Sequence, residues 1–205
     1  MELDIIFAII VLIMSVVVHE VSHGYAAYML GDSTAKMAGR LTLNPVKHLD
    51  PVGSFLVPFL TYAIGGLVFG WAKPVPYNPY NLKNQKWGPA IVAFAGPASN
   101  LLLAFVFGML IRFAVPLGIA SDAFFTIATT TVLINVLLAV FNLIPIPPLD
   151  GSKILFSALP YHMRHVQEVM ERYWIALVFF LLVFLWRFIL PVVFFIFELI
   201  TGMRF

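Results

Sequence analysis

The sequence predicts an all-α polytopic membrane protein: a transmembrane helix bundle of about four to five spans with one re-entrant extended segment. Hydrophobic residues make up 61% of the 205 and charged residues 11%, with a mean hydropathy of +0.98. That is more apolar surface than a soluble domain of this size has interior to hide. Five apolar runs, about 5–30, 52–70, 89–114, 123–145 and 173–199, each approach the ~20 residues that a helix needs to cross a bilayer. The second run is the exception, because Pro58 and Gly65-Gly66 interrupt it and Pro74, Pro76 and Pro79 follow. Prolines so closely spaced remove backbone donors and force extended structure.

Composition narrows the function classes further. With no cysteine, disulfides and thiolate ligands are excluded, and any metal is held by His, Asp or Glu. A net charge of +2, without a dense Lys/Arg block, gives no footing for nucleic acid. Met1-Glu2-Leu3-Asp4 carries acid where a signal peptide carries base, so the first run is expected to be a retained helix. One membrane-embedded unit over 1–205 is expected.

The motif helix, 5–30, ends at Gly31-Asp32-Ser33, a C-terminal stop. Within it lies Val18-His19-Glu20-Val21-Ser22-His23-Gly24, the pattern His-Glu-x-x-His. Two histidines four apart share one helix face, so both imidazoles reach one metal ion. Glu20 is left free to accept a proton from water that Zn²⁺ has acidified toward neutral pH. The pattern arises by chance in about three chains per thousand of this composition. Ionisable groups inside a bilayer are costly, and those present are as a rule functional.

After this helix, Lys36 to Asp50 includes Gly39-Arg40-Leu41-Thr42-Leu43-Asn44-Pro45 and His48-Leu49-Asp50-Pro51, and reads as turn or extended structure at the interface. The core helix 89–114 carries Ala95-Gly96-Pro97-Ala98-Ser99-Asn100, small residues that let helices approach closely. The lone amide of Asn100 is expected to face the bundle interior and bond backbone or substrate. The core helix 123–145 runs into Phe141-Asn142-Leu143-Ile144-Pro145-Ile146-Pro147-Pro148-Leu149-Asp150-Gly151. The prolines stop it and free carbonyls that are tolerated at membrane depth only beside protein or a water-filled cavity. Tyr161 to Tyr173, with His162 and His165, reads as an interfacial helix. In the C-terminal helix, 173–199, Pro191 is expected to kink the chain near Arg187, which faces protein or snorkels.

Catalytic zinc typically takes three protein ligands and a water. Beyond His19 and His23 the candidates are His48, Asp50, Asp150, His162, His165 and Glu198. Local sequence alone makes Asp150 an ordinary turn aspartate before glycine. It is set apart by following a broken transmembrane helix whose backbone is already shaped for an internal site.

These residues resemble the site-2 protease family of intramembrane zinc metalloproteases. The likeness rests on His19-Glu20-Val21-Ser22-His23, on Asn142-Leu143-Ile144-Pro145 followed by Leu149-Asp150-Gly151, and on Ala95-Gly96-Pro97 between them, and it covers roughly residues 5–155. It implies one Zn²⁺ per chain, with His19, His23 and Asp150 as ligands and Glu20 as general base. By the same resemblance Asn142 orients the substrate backbone or stabilises the oxyanion, and the substrate is a transmembrane peptide or protein met within membrane lipid. The chain is expected to be a short form, opening on the motif helix without the PDZ-like or CBS-like domain of longer relatives.

Helix geometry and charge give the expected orientation. Starting near Ile5, the helix carries His19 about 21 Å along, two thirds of the way across the ~30 Å core. Asp150 has to end on that same side, so an even number of crossings lies between 30 and 89, and the region 52–88 is expected to enter the membrane and return. Lys36, Arg40, Lys47, Lys73, Lys83, Lys86, Lys153, Arg164 and Arg172 then fall on the zinc side and only Arg112 and Arg204 opposite. That bias marks the zinc side as cytoplasmic and the N-terminus as outside, in what is expected to be a prokaryotic cell membrane. Gly70 to Tyr80 supplies either an edge on which an unwound substrate pairs or a rigid loop packed over the site. The expected activity is endopeptidase cleavage near the cytoplasmic face. The alternative is a metal transporter using the same His and Asp ligands in transit, which requires polar ligands leading to both faces.

Overall fold

The computed structural model describes residues 2–57, 59, 60, 63, 72–114, 117, 118 and 121–203. These residues form helices and connecting segments, with no strand among them. α1 spans Glu2–Met29 and stops where Gly31 turns at φ +107°, a left-handed conformation that suits glycine. A single turn, α2, follows at Thr34–Met37, and a 3₁₀ turn at Pro45–His48 is capped by the Asn44 side chain, which accepts from Val46 N–H. The expected interfacial stretch is therefore largely turn.

A π-helical turn occupies Val52–Leu56. The re-entrant course expected for 52–70 falls mostly outside the described residues. The stretch that follows, 72–78, belongs to neither helix nor strand, in keeping with Pro74 and Pro76. α3 (Gly88–Ala114) and α4 (Asp122–Asn142) are the two core helices. The Ser121 hydroxyl starts α4 by accepting from Phe124 N–H, a standard N-cap. α4 ends at Asn142, a few residues before the point expected, and a new helix, α5, begins at Asp150 and runs to Ala158. α6 (Arg164–Arg172) buries none of its residues, in keeping with an interfacial helix. α7 (Trp174–Phe180), a π-helical turn (Leu181–Leu185) and α8 (Trp186–Thr201) complete the chain.

Ile5–Met29 within α1, α3 and α4 are each long and apolar enough to cross a membrane. Trp174–Leu185 and Arg187–Thr201, bent by 67°, make a fourth crossing if taken as one span. The bend directly follows the π-helical turn at Leu181–Leu185 and lies just upstream of Arg187, whose carbonyl Pro191 cannot serve. This protein is thus an integral membrane protein of the all-α class.

The bundle has two interiors. At one end Ala104 and Ile111 of α3, Ala128, Val132 and Val136 of α4, and Ile189, Val193 and Phe197 of α8 form an apolar core. At Gly108 a side chain would strike Ile200 of α8, so this end depends on close backbone approach. The other interior, between α1, α3 and α4, buries Ser15, His19, His23, Asn100 and Asn135.

Asp32, just past α1, is wholly buried. Its carboxylate accepts from Thr34 N–H, the Thr34 hydroxyl, Asn78 N–H and the Asn81 amide. Burial opposes its charge, but these donors prevail and hold its carboxyl below the usual carboxylate range. The end of α1 and the segment leading into α3 are clasped here, and again where the Lys83 N–H donates to the Leu30 carbonyl at 2.9 Å.

Candidate metal centre

The four-residue spacing of α1 stacks His19 over His23 with ring centroids 4.6 Å apart, and each imidazole has a partner on its outer nitrogen. His19 Nδ1 lies 2.6 Å from Asn100 Oδ1 and His23 Nδ1 lies 2.7 Å from the carbonyl of Val92, both on α3. The Asn100 amide nitrogen is itself committed, donating to the Ser15 carbonyl at 3.3 Å and to Asn135 Oδ1 at 2.8 Å. Asn135 in turn donates to the Ser15 hydroxyl and to the Thr131 carbonyl. Both partners of the histidines are therefore acceptors, which assigns the proton of each neutral ring to Nδ1.

The consequence is at Nε2. Both inner nitrogens carry lone pairs, yet they lie 3.0 Å apart. Asp150 Oδ2 lies 3.1 Å from each of them. His19, His23 and Asp150 are at most 9% exposed, so water does not relieve this meeting of acceptors. Three lone-pair atoms converging with no hydrogen to share is what a cation requires, and the two-histidine, one-carboxylate donor set suits Zn²⁺. Among the described residues this is the group of metal-binding side chains whose ligand atoms come within 4.8 Å of one another.

Backbone shape makes room for it. A Cβ at Gly96 of α3 would lie 2.5 Å from His23 Nε2 and 2.6 Å from His19 Nε2, so any side chain there would occupy the cradle. Asp150 arrives from the break. A side chain at Gly151 would strike the carbonyls of Leu143 and Ile144, so glycine lets the first turn of α5 fold back against the end of α4. The other oxygen of Asp150, Oδ1, is 3.3 Å from Lys153 Nζ.

Glu20 follows His19 on α1, and its Oε2 accepts from the backbone N–H of Val75 at 2.8 Å. The 72–78 stretch therefore packs against α1 at the residue next to His19. Asn142 stands in the last turn of α4 with its amide donating to the Leu138 carbonyl at 2.9 Å. Asn100 faces the bundle interior and bonds backbone, as expected, and also fixes His19. His48 is buried in the 45–48 turn with Nε2 on the Thr42 carbonyl. Sequence reasoning missed Ser15, Asn135 and Lys153. For Asn135 a signal was present, since it is a lone amide in an apolar run just as Asn100 is.

The model of peptidase family M50 matches residues 7–131 and 114–185. Over 177 residues the chain is 41% identical to a Bacillus subtilis (strain 168) protein named "Putative zinc metalloprotease YwhC", with 82% of this chain and 75% of the relative covered. It is 35% identical over 153 residues to "Putative zinc metalloprotease Rip2" of Mycolicibacterium smegmatis, covering 74% of this chain and 55% of the relative. The protein of that name from Mycobacterium tuberculosis (strain ATCC 25618 / H37Rv) is 31% identical over 156 residues, again with 55% of the relative covered. The chain thus spans about half the length of these last two relatives. No solved structure matches it.

Proposed function

This chain belongs to peptidase family M50, the site-2 type of zinc metalloprotease, and we propose that it is an intramembrane endopeptidase that cuts membrane-spanning peptides near the cytoplasmic face. The observation that carries the reading is the convergence of the His19, His23 and Asp150 lone pairs on one point, with Glu20 next to His19 on the same helix and outside that ligand set. These three residues would hold one Zn²⁺ per chain. When bound, the ion supplies Lewis-acid polarisation of the scissile carbonyl and acidifies the attacking water. Glu20 takes the proton of that water and returns it to the leaving amine. Asn100 and the Val92 carbonyl keep both imidazoles aimed inward throughout. Asn142, at the break, aligns the substrate backbone or meets the developing oxyanion.

A transmembrane substrate hides its amides in its own helix and has to unwind before it can be cut. The 72–80 limb, which reaches Glu20, supports either an edge for the straightened chain or a rigid cover over the site. The distribution of Lys and Arg supports a cytoplasmic zinc side. Metal transit finds less support, since no second ligand cluster leads away from the first among the described residues.

The test uses the protein reconstituted in vesicles with a labelled transmembrane peptide. Glu20→Gln is expected to keep its zinc and to lose about 10²-fold or more in cleavage, because the amide preserves size but cannot accept a proton. Cleavage by that variant near the normal rate would reject the assignment, and cleavage sites mapped to the far leaflet would reject the orientation.

A further inference from the structure

Between α1 and α3 the chain runs through Ala72-Lys73-Pro74-Val75-Pro76-Tyr77-Asn78, and its peptide groups are tied from several sides. The Lys73 N–H donates to the His48 carbonyl at 2.8 Å. Arg40 Nη2 donates to the carbonyls of Lys73 and Pro74 at 2.7 and 3.4 Å. The Asn78 N–H donates to Asp32 Oδ2 at 2.7 Å. The three side chains or turns that do this, at Arg40, His48 and Asp32, are all buried, so each pin is itself fixed.

Val75 lies between Pro74 and Pro76, which have no N–H to offer. Its own N–H is the donor that those three residues possess, and it goes to Glu20 Oε2 at 2.8 Å. The Val75 side chain is buried and seats on α1 one turn beyond Glu20. Gly24 leaves the space for it, since a Cβ there would lie 2.8 Å from Val75 Cγ1 and 2.6 Å from Leu41 Cδ2.

From this we infer that the Val75 peptide N–H is a positioning group for Glu20, and that the pinned limb exists in part to hold it there. The inference rests on the reading of Glu20 as general base. A free glutamate side chain samples several rotamers, whereas proton transfer needs the carboxylate within hydrogen-bond reach of the water in a defined direction. The Val75 N–H occupies Oε2 and leaves Oε1 to meet the water. A backbone donor held at both ends does not have to reorganise as the reaction proceeds. The contact acts on the reacting group and not on substrate affinity, so its loss falls on kcat and leaves KM near its original value. Asp32, about 18 Å along the helix direction from Glu20, then influences turnover through the limb without touching the reacting atoms.

The experiment replaces the Pro74–Val75 amide by an ester, which keeps the valine side chain and removes the N–H, and compares it with Val75→Pro and Val75→Ala. The ester and Val75→Pro are expected to lose about 10- to 100-fold in kcat with KM within about two-fold and zinc content intact, while Val75→Ala, which keeps the N–H and loses only part of the side chain that seats the limb, is expected to lose less than either. Gly24→Ala is expected to lose kcat in the same way by lifting Val75, and adding Val75→Ala to it to restore part of the loss. A second readout needs no turnover: in Glu20→Ala, one amide of the 72–78 fragment should exchange its hydrogen markedly faster than in the parent. An unchanged kcat in the ester variant, a raised kcat that would make the limb a brake, or unchanged exchange in Glu20→Ala would each overturn the inference. Those outcomes leave the assignment of Glu20 to be judged separately by Glu20→Gln, whose inactivity does not depend on Val75.

Discussion

The two halves of α1 form one uninterrupted helix and have opposite surroundings. From Ile5 to Met14 none of the side chains is buried, although every one is apolar. From Ser15 to Ala27 the buried positions are Ser15, Val17, His19, Val21, His23, Gly24 and Ala27. Large aliphatic groups face outward in the first half, and small or polar ones face inward in the second. Lipid tails are as apolar as leucine, so burying leucine inside a membrane bundle gains little. Helices meet instead where small residues allow contact and polar groups find partners. The interior that α1 helps to close is marked by its glycines, amides and histidines.

Substitutions in the two halves should therefore behave in opposite ways, and the largest effect belongs to the inner one. Gly96→Val on α3 puts carbon where both Nε2 atoms point, so it is expected to abolish zinc binding and cleavage together, as read by metal analysis of the purified variant. Zinc retained at one per chain would mean that α1 is not seated against α3 as described. Asn100→Leu removes the acceptor of His19 Nδ1 and strands Asn135 and the Ser15 carbonyl. Zinc affinity is expected to fall about 10- to 100-fold, the usual cost of losing a group that orients a metal-binding histidine, and competition with a chelator measures it. In the outer half, Ile9 is 51% exposed. Ile9→Ala should change thermal stability by no more than about 0.5 kcal/mol and leave zinc and turnover unaltered, and a larger loss would show that this face is covered.

The same contrast explains what could be read from the chain itself. Continuous apolar runs disclosed α1, α3 and α4, because a helix that crosses lipid has to be apolar along its length. His19, Glu20 and His23 were legible because their spacing is local. Asp150 could be reached only by elimination and family likeness, since an aspartate before glycine has no distinctive neighbours, and its approach to His19 depends on Gly151 packing on carbonyls of another turn. Ser15, Asn135 and Asp32 left a weaker trace. Their distant partners lie 35 to 120 residues away, and nothing in periodicity encodes such a pairing. The end of α4 fell at Asn142 and not at Ile144 or Pro145, because a proline excludes the helical conformation of the residue before it and the loss of donors propagates backward.

The account stands on Asp150 completing the metal centre with the two histidines of α1. Zinc stoichiometry of purified Asp150→Ala, set beside His48→Ala as a buried histidine outside the cluster, tests this most directly. Asp150→Ala is expected to bind much less than one zinc per chain and to be inactive, because removing one of three protein ligands takes away both charge and geometry. His48→Ala should keep its zinc. Full occupancy in Asp150→Ala, with zinc lost from His48→Ala instead, would contradict the account and move the third ligand to the 45–50 turn.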